Sequence, residues 1–316
     1  MKKMKKSENI YQLTKITGWR TLALNKRIKI QKILIIIFLL IIVITLMLIM
    51  QNILQIWQRN EEYQKYEAQI LLLQEQENKE KAQIEAEKER MRQEKIPKLT
   101  EVGKENMKHI YRSDTKRVFL TFDDGPSSVT PTILDVLKQE NVPATFFVLG
   151  SRVEAMPEMV KRIYEEGHYI ANHGYSHVYS SIYASPQAVL DEYNKCNETV
   201  KNAIQVPEYQ SHLFRFPGGS SGGTYAAIKT EAIKLLEENG VLYVDWNALT
   251  GDAEKNDLTI EYEMTRLQQT VLDRNSVVVL MHDAPAKKVT AEALPQIISY
   301  LKQQGYEFKN FYEIIK

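Results

Sequence analysis

The 316-residue chain has one cysteine, Cys196, so an intrachain disulfide is excluded and a thiolate metal cluster cannot be built from it alone. It has little net charge: 41 basic residues face 40 acidic ones, for a formal charge of +1. A global electrostatic footprint for nucleic acid is therefore missing. Histidine is scarce at six residues, so any pair at ligand spacing carries information. Glycine and proline are absent between Arg59 and Lys95, which leaves that stretch no ordinary means of turning. Cys196 falls in an expected helix, Pro186 to Ala203, where a packed side chain is the simpler reading than a reactive one.

What the chain does have is unevenly placed. Up to Lys32 the charges are basic except for Glu8, and from Ile33 to Met50 every residue is apolar except Thr45. Eighteen helical residues span about 27 Å, close to a bilayer's hydrocarbon thickness. No small-residue cleavage site follows, and Trp57 stands where an interfacial anchor would. The expectation is a basic cytoplasmic tail (1–32), an uncleaved transmembrane signal anchor (33–50), and everything after Met50 on the extracellular face of the cell membrane.

Residues 51–99, rich in Glu, Gln, Lys and Ala, read as a helical stalk. Ile56, Tyr63, Ile70, Ile84 and Met91 recur at multiples of seven, with Tyr66 and Leu73 between, while Glu77, Glu80 and Glu87 interrupt the seam. A weakly coiled-coil homodimer and a solvated single helix both fit.

From residue 100 to 316 short apolar runs alternate with segments of helical period. The expected strands are Arg117–Phe122, Ala144–Gly150, Tyr169–Asn172, Leu213–Phe216, Val241–Asp245 and Ser276–Met281. The expected helices are Pro131–Glu140, Pro157–Glu166, Pro186–Ala203, Tyr225–Asn239, Ile260–Asp273 and Ala291–Gln304. This alternation implies an α/β fold with a parallel sheet, open or closed as a barrel, and functional residues just beyond the strands' carboxyl ends.

Those ends are where unusual residues gather. Thr121-Phe122-Asp123-Asp124-Gly125-Pro126 sets two carboxylates before a turn, suited to different tasks because adjacent side chains diverge. His173 and His177, four apart, can meet one metal, and with Asp124 make a set that leaves positions open for water and substrate. Arg215-Phe216-Pro217-Gly218-Gly219, Asp245-Trp246 and Leu280-Met281-His282 close three further strands. Taken singly, Arg215 and Asp245 could be a structural ion pair and Trp246 core packing.

In this order the five elements resemble the NodB-type polysaccharide deacetylases, carbohydrate esterase family four, over about Lys116 to the carboxyl terminus. The resemblance implies a distorted (β/α) barrel of about seven strands, with one more strand near Tyr306–Phe308 or elsewhere. It implies Asp124, His173 and His177 as metal ligands, Asp123 as general base held by Arg215, and His282 as general acid tuned by Asp245. Gly218 would offer its N–H to the oxyanion, and Trp246 and Leu280 would line the acetyl pocket. Two departures stand out: Gly174 replaces a common Ser or Thr in the histidine loop, and Gly218 replaces a common Tyr. Neither removes a ligand or a proton carrier.

The implied reaction is metal-dependent removal of N-acetyl groups from a cell-wall polysaccharide. The expected topology favours N-acetylglucosamine of peptidoglycan. Poly-N-acetylglucosamine, a chitin-like chain or an acetylated xylan are alternatives, and a non-catalytic wall-binding scaffold is the reading from another class. Zinc is the default cation for two imidazoles and a carboxylate, with cobalt, nickel or iron also compatible.

Overall fold

The computed structural model describes residues 62–316 and, ahead of them, 42, 44–47 and 50. The basic tail lies outside the described residues, as do most of the expected span Ile33–Met50 and the start of the stalk. Among the described residues no helix is long and apolar enough to cross a membrane. The chain divides into two units, Met1–Glu87 and Lys88–Lys316.

Helix α1 (Glu62–Glu94) is exposed from Gln69 to Met91. Its charges pair along its own surface, as in Lys79–Glu75 and Lys81–Glu77 at i,i+4 spacing. The exposed residues include the apolar run Ile70 to Leu73.

Within the second unit, folding begins ahead of Thr100. Ile96 is buried in the main core cluster, and Lys95 Nζ donates to the Glu165 carbonyl. Thr100 caps α2 (Glu101–Lys108), its hydroxyl accepting from the Gly103 N–H.

Eight strands follow, all paired in parallel: β1 (Arg117–Asp123), β2 (Thr145–Val148), β3 (Tyr169–Asn172), β4 (Leu213–Phe214), β5 (Leu242–Tyr243), β6 (Ala248–Leu249), β7 (Ser276–His282) and β8 (Glu307–Lys309). Seven run in the order β5-β4-β3-β2-β1-β7-β6, and β8 pairs with the first half of β1. The result is a curled half-barrel, with no ladder joining β5 to β6. Two differences from the expected strands matter. The fifth strand shortens to two residues, and β6, too short to show any periodicity, adds a pairing with β7.

β1 is central and buried throughout its last six residues. Its side chains alternate between two cores, as the two-residue period requires. Val118, Leu120 and Phe122 face the outer cluster under the helices, while Phe119 joins the inner one. The inner cluster is filled by Met107 and Ile110 and by the carboxyl-terminal Phe311, Tyr312 and Ile315.

The flanking helices are α3 (Thr130–Glu140), α4 (Gly150–Ala155), α5 (Pro157–Glu165), α6 (Tyr179–Ile182), α7 (Pro186–Ile204), α8 (Ala226–Glu238), α9 (Ile260–Val271) and α10 (Lys288–Gln303). Prolines open α5 and α7 at positions where no intrahelical donor is lost. Cys196 is buried in α7.

Because all strands run in parallel, their carboxyl ends share one rim. Register fixes what meets there: Asp123 is level with His282 on one side and Phe147 on the other. Asn172, which ends β3, is level with Val148 and Phe214.

Candidate metal centre and its proton carriers

The turn after β1 places the first candidate ligand. Asp124 adopts φ 72°, in the left-handed region, so its carboxylate diverges from that of Asp123. Gly125 must be glycine, since a Cβ there would stand 2.3 Å from Asp283 Oδ2. Asp283 is itself fixed, accepting from the hydroxyls of Ser127 and Thr130 at 3.0 and 2.6 Å.

The loop after β3 brings the imidazoles. Asn172 Oδ1 accepts from the Gly174 N–H, and Glu192 accepts from the N–H groups of Tyr175 and Ser176 and from the Ser176 hydroxyl. These bonds hold the histidine loop around Gly174 without a hydroxyl at that position. His173 Nε2 lies 3.5 Å and His177 Nε2 3.4 Å from the same atom, Asp124 Oδ1.

The ligand atoms of Asp124, His173 and His177 all lie within 4.8 Å of one another. Three observations suit a divalent cation. Asp124 Oδ1 is buried with no hydrogen-bond partner. His173 Nδ1 sits 2.8 Å from the Arg215 carbonyl, which accepts from Nδ1–H in the tautomer that leaves the Nε2 lone pair on the ligand side. Burial also pushes the His173 pKa down to about 3, keeping the ring neutral.

Asp123 lies beside this set, almost wholly buried, with Oδ2 3.9 Å from His173 Nε2. Burial raises its pKa, opposed by the guanidinium of Arg215. Arg215 is fully buried in the barrel interior, and its Nη1 donates to Asp123 Oδ1 and to the Thr121 hydroxyl, both at 2.8 Å. Its remaining donors reach the carbonyls of Val244 and Asp245, and the plane packs over Phe147 at 3.9 Å. The guanidinium is thereby fixed on every side, and so is the carboxylate it holds.

The structure corrects the partner of His282. Asp245 does not pair with it: its carboxylate accepts from the N–H and hydroxyl of Ser220. The partner is Asp252, which accepts from the His282 N–H at 2.7 Å and from Nδ1 at 2.8 Å. The reason is β6. Ala248 and Leu249 first pair with Val279 and Leu280, and only three residues later does the chain come level with His282. Burial works against charge on His282, but the Asp252 bond and the charges of Asp252, Asp123 and Asp124 outweigh it and raise the pKa to about 9.

Asp245 instead belongs to the glycine loop after β4. Tyr183 donates to the Pro217 carbonyl, buried Lys229 donates to that of Gly219, and Asp245 holds Ser220. The Gly218 N–H, between these fixed points, has no protein acceptor among the described residues. Gly218 has φ 75°, and a Cβ on it would lie 2.7 Å from the Tyr179 hydroxyl. The Tyr179 ring also packs on His177, at 5.6 Å, and so links the glycine loop to the ligands. Leu280 shares the inner face of β7 with His282. Trp246 is half-buried against the inner core, 5.8 Å from Arg215.

Sequence reasoning passes over Asp252 because Asp245-Trp246, directly after an apolar run, fits a strand end better. The signal present is Gly251-Asp252, a turn pair following Ala248-Leu249.

A curled parallel half-barrel with two histidines, a carboxylate and the Arg215–Asp123 and Asp252–His282 pairs at its carboxyl rim is the arrangement of a hydrolase of the deacetylase type. The chain belongs to the polysaccharide deacetylase family, whose model matches residues 111–244. It is 32% identical over 203 residues to a peptidoglycan-N-acetylglucosamine deacetylase of Bacillus cereus, covering 63% of this chain and 71% of that one. A carbohydrate esterase family 4 esterase of Streptococcus mutans matches with TM-score 0.59 and 34% identity, over 67% of this chain and 92% of that one. A family 4 pseudoenzyme from Bacillus anthracis also matches, at TM-score 0.54 and 26% identity, over 65% and 67%. The chain spans 66% and 71% of the lengths of the first two curated relatives it matches. The fold also occurs in a pseudoenzyme, so activity resides in the site residues and not in the fold.

Proposed function

We propose that this protein removes N-acetyl groups from N-acetylglucosamine of peptidoglycan, using a zinc ion held by Asp124, His173 and His177. The supporting observation is that a buried base fixed by an arginine and an acid fixed by Asp252 stand level on adjacent strands, beside a three-ligand set. A cation held by these three residues would supply Lewis acidity toward the acetyl carbonyl and the attacking water.

The chain's own groups have separate tasks. Asp123, held by Arg215, accepts the water's proton. The free Gly218 N–H suits the developing oxyanion, because its neighbours are tied down and it need not reorganise. His282, already protonated at neutral pH, delivers a proton to the departing amine, and Asp252 holds the imidazolium in place.

The polymer is inferred from the B. cereus relative and from the apolar run Ile33–Met50 behind a basic tail. That run supports a membrane anchor with the site outside the cell, where peptidoglycan lies. The stalk sequence supports a spacer, and dimerisation through it belongs to the same proposal.

The test is acetate release from purified peptidoglycan by the full chain with zinc, with chelator, and as Asp123→Asn. Metal-dependent release lost in the variant is the expected result. Release only from poly-N-acetylglucosamine, chitin oligomers or acetylated xylan would move the substrate. No release from any of them would leave the scaffold reading.

A further inference from the structure

The proposed reaction uses neither of two buried polar residues that stand behind His282. Glu263, on α9, is fully buried, an uncommon place for an unpaired carboxyl. Its Oε1 is 3.1 Å from the Thr290 hydroxyl, on α10, and its Oε2 has no hydrogen-bond partner. The same Thr290 hydroxyl lies 3.3 Å from Asp252 Oδ2. That oxygen also accepts the His282 N–H, and the other oxygen of Asp252 takes the ring Nδ1. A continuous buried chain therefore runs Glu263, Thr290, Asp252, His282.

Burying this carboxyl costs desolvation that Leu267, one turn on and buried in the core, does not incur. The charged groups acting on Glu263 are Asp252, on the segment after β6, and Lys287, ahead of α10. Lys287 Nζ is occupied by the Asp252 carbonyl at 2.6 Å. The hydroxyl of Thr250 also acts on Glu263.

We propose that Glu263 and Thr290 are positioning residues for the Asp252–His282 pair, the buried carboxyl setting through the Thr290 hydroxyl what charge and which hydrogen-bond donor reach Asp252. A hydroxyl has one proton to give. When Glu263 is protonated it can donate to Thr290, whose own proton then goes to Asp252. When Glu263 is ionised it competes for the Thr290 proton and adds a second negative charge behind the dyad. His282 is then held more firmly as the imidazolium. Burial first, and the nearby Asp252 charge second, raise the Glu263 pKa to about 7, so both states are accessible near neutrality.

This inference rests on His282 being the proton donor, but its first test does not need turnover. In full-length, zinc-loaded protein with carbon-13 at histidine Cε1, six resonances are expected, and His282 is assigned by its loss in His282→Gln. Glu263→Gln keeps the shape and a donor but removes the ionisable charge. The His282 titration should move to lower pH by about 0.5 to 1 unit. An unchanged titration in folded Glu263→Gln overturns the proposal.

If that variant does not fold, position 290 decides. Thr290→Val should lower kcat about tenfold with KM held, and Thr290→Ser, which keeps the hydroxyl, should restore it. Equal kcat in the two overturns the proposal. A His282 shift in a protein that deacetylates nothing would sink the proposed function and leave the relay standing.

Discussion

Asp252 grips His282 at two points, the backbone N–H and ring Nδ1, at 2.7 and 2.8 Å. One carboxylate thus fixes the ring's position, its orientation and its charge. Asp252→Asn should release the imidazolium, bringing its pKa from about 9 to the ordinary value or below, since burial then acts with less opposition. Loss of a held general acid costs roughly 10²–10⁴ in kcat. Asp245→Asn should leave the His282 titration unmoved. Histidine NMR on both variants checks this, and an equal response would undo the separation of their roles.

The same pKa has a stability consequence. A histidine raised from about 6.5 unfolded to about 9 folded binds its proton more tightly in the native state. Its stabilisation is complete below about pH 6.5 and is lost as pH rises through 9. Urea midpoints should therefore fall between pH 7 and 9.5 more steeply in wild type than in Asp252→Asn. Parallel curves would count against the raised pKa.

Arg215 makes a third prediction possible. It is fully buried and satisfies Asp123, Thr121 and two carbonyls. Arg215→Met leaves a carboxylate in the interior with its counter-charge gone, a change that costs about 3–5 kcal/mol. Adding Asp123→Asn should recover part of that loss, because the orphaned charge disappears. Denaturant unfolding of the single and double variants measures the coupling, and simple additivity would argue against a charge pair.

The elements that can be read from sequence are those with local signals. Helices α5 and α7 open on Pro157 and Pro186, as expected, and every expected helix has an observed counterpart. Strands β1 and β7 carry seven-residue runs rich in apolar and β-branched residues, and the short β3 is apolar up to Asn172, so their carboxyl ends, and the residues on them, can be placed from sequence. Helix α2 escapes such a reading because it is short and polar and packs only in the folded chain. Glu263 is unreadable for a different reason: among the charges of α9 only packing against Thr290 marks it out.

Gly125 tests how rigid the ligand turn is. Its missing Cβ would meet Asp283 Oδ2 at 2.3 Å and Cγ at 2.8 Å, and Asp283 cannot yield while Ser127 and Thr130 hold it. Gly125→Ala should thus displace the turn that carries Asp124, costing about 1–3 kcal/mol of stability. Metal affinity should fall roughly 10–100-fold, as it does when the surroundings of a ligand are disturbed. Zinc titration against a competing chelator reads the affinity directly. Unchanged affinity would show that the turn moves independently of Asp283.

Gly218 and Tyr179 give the sharpest test of the oxyanion assignment, because their conflict has two separable parts. An alanine at 218 must keep φ near 75°, which costs about 1–2 kcal/mol for any residue with a Cβ. It must also accommodate the Tyr179 hydroxyl 2.7 Å away. Tyr179→Phe removes that oxygen and leaves the ring carbon Cζ at 3.4 Å, an ordinary contact. Gly218→Ala should therefore lower kcat more than the backbone cost alone predicts, and Tyr179→Phe in the same protein should return the excess. What remains should be near tenfold, the kinetic equivalent of about 1.4 kcal/mol. If Gly218→Ala keeps full kcat, the Gly218 N–H is not held where an oxyanion would form, and the donor must be sought elsewhere on the rim.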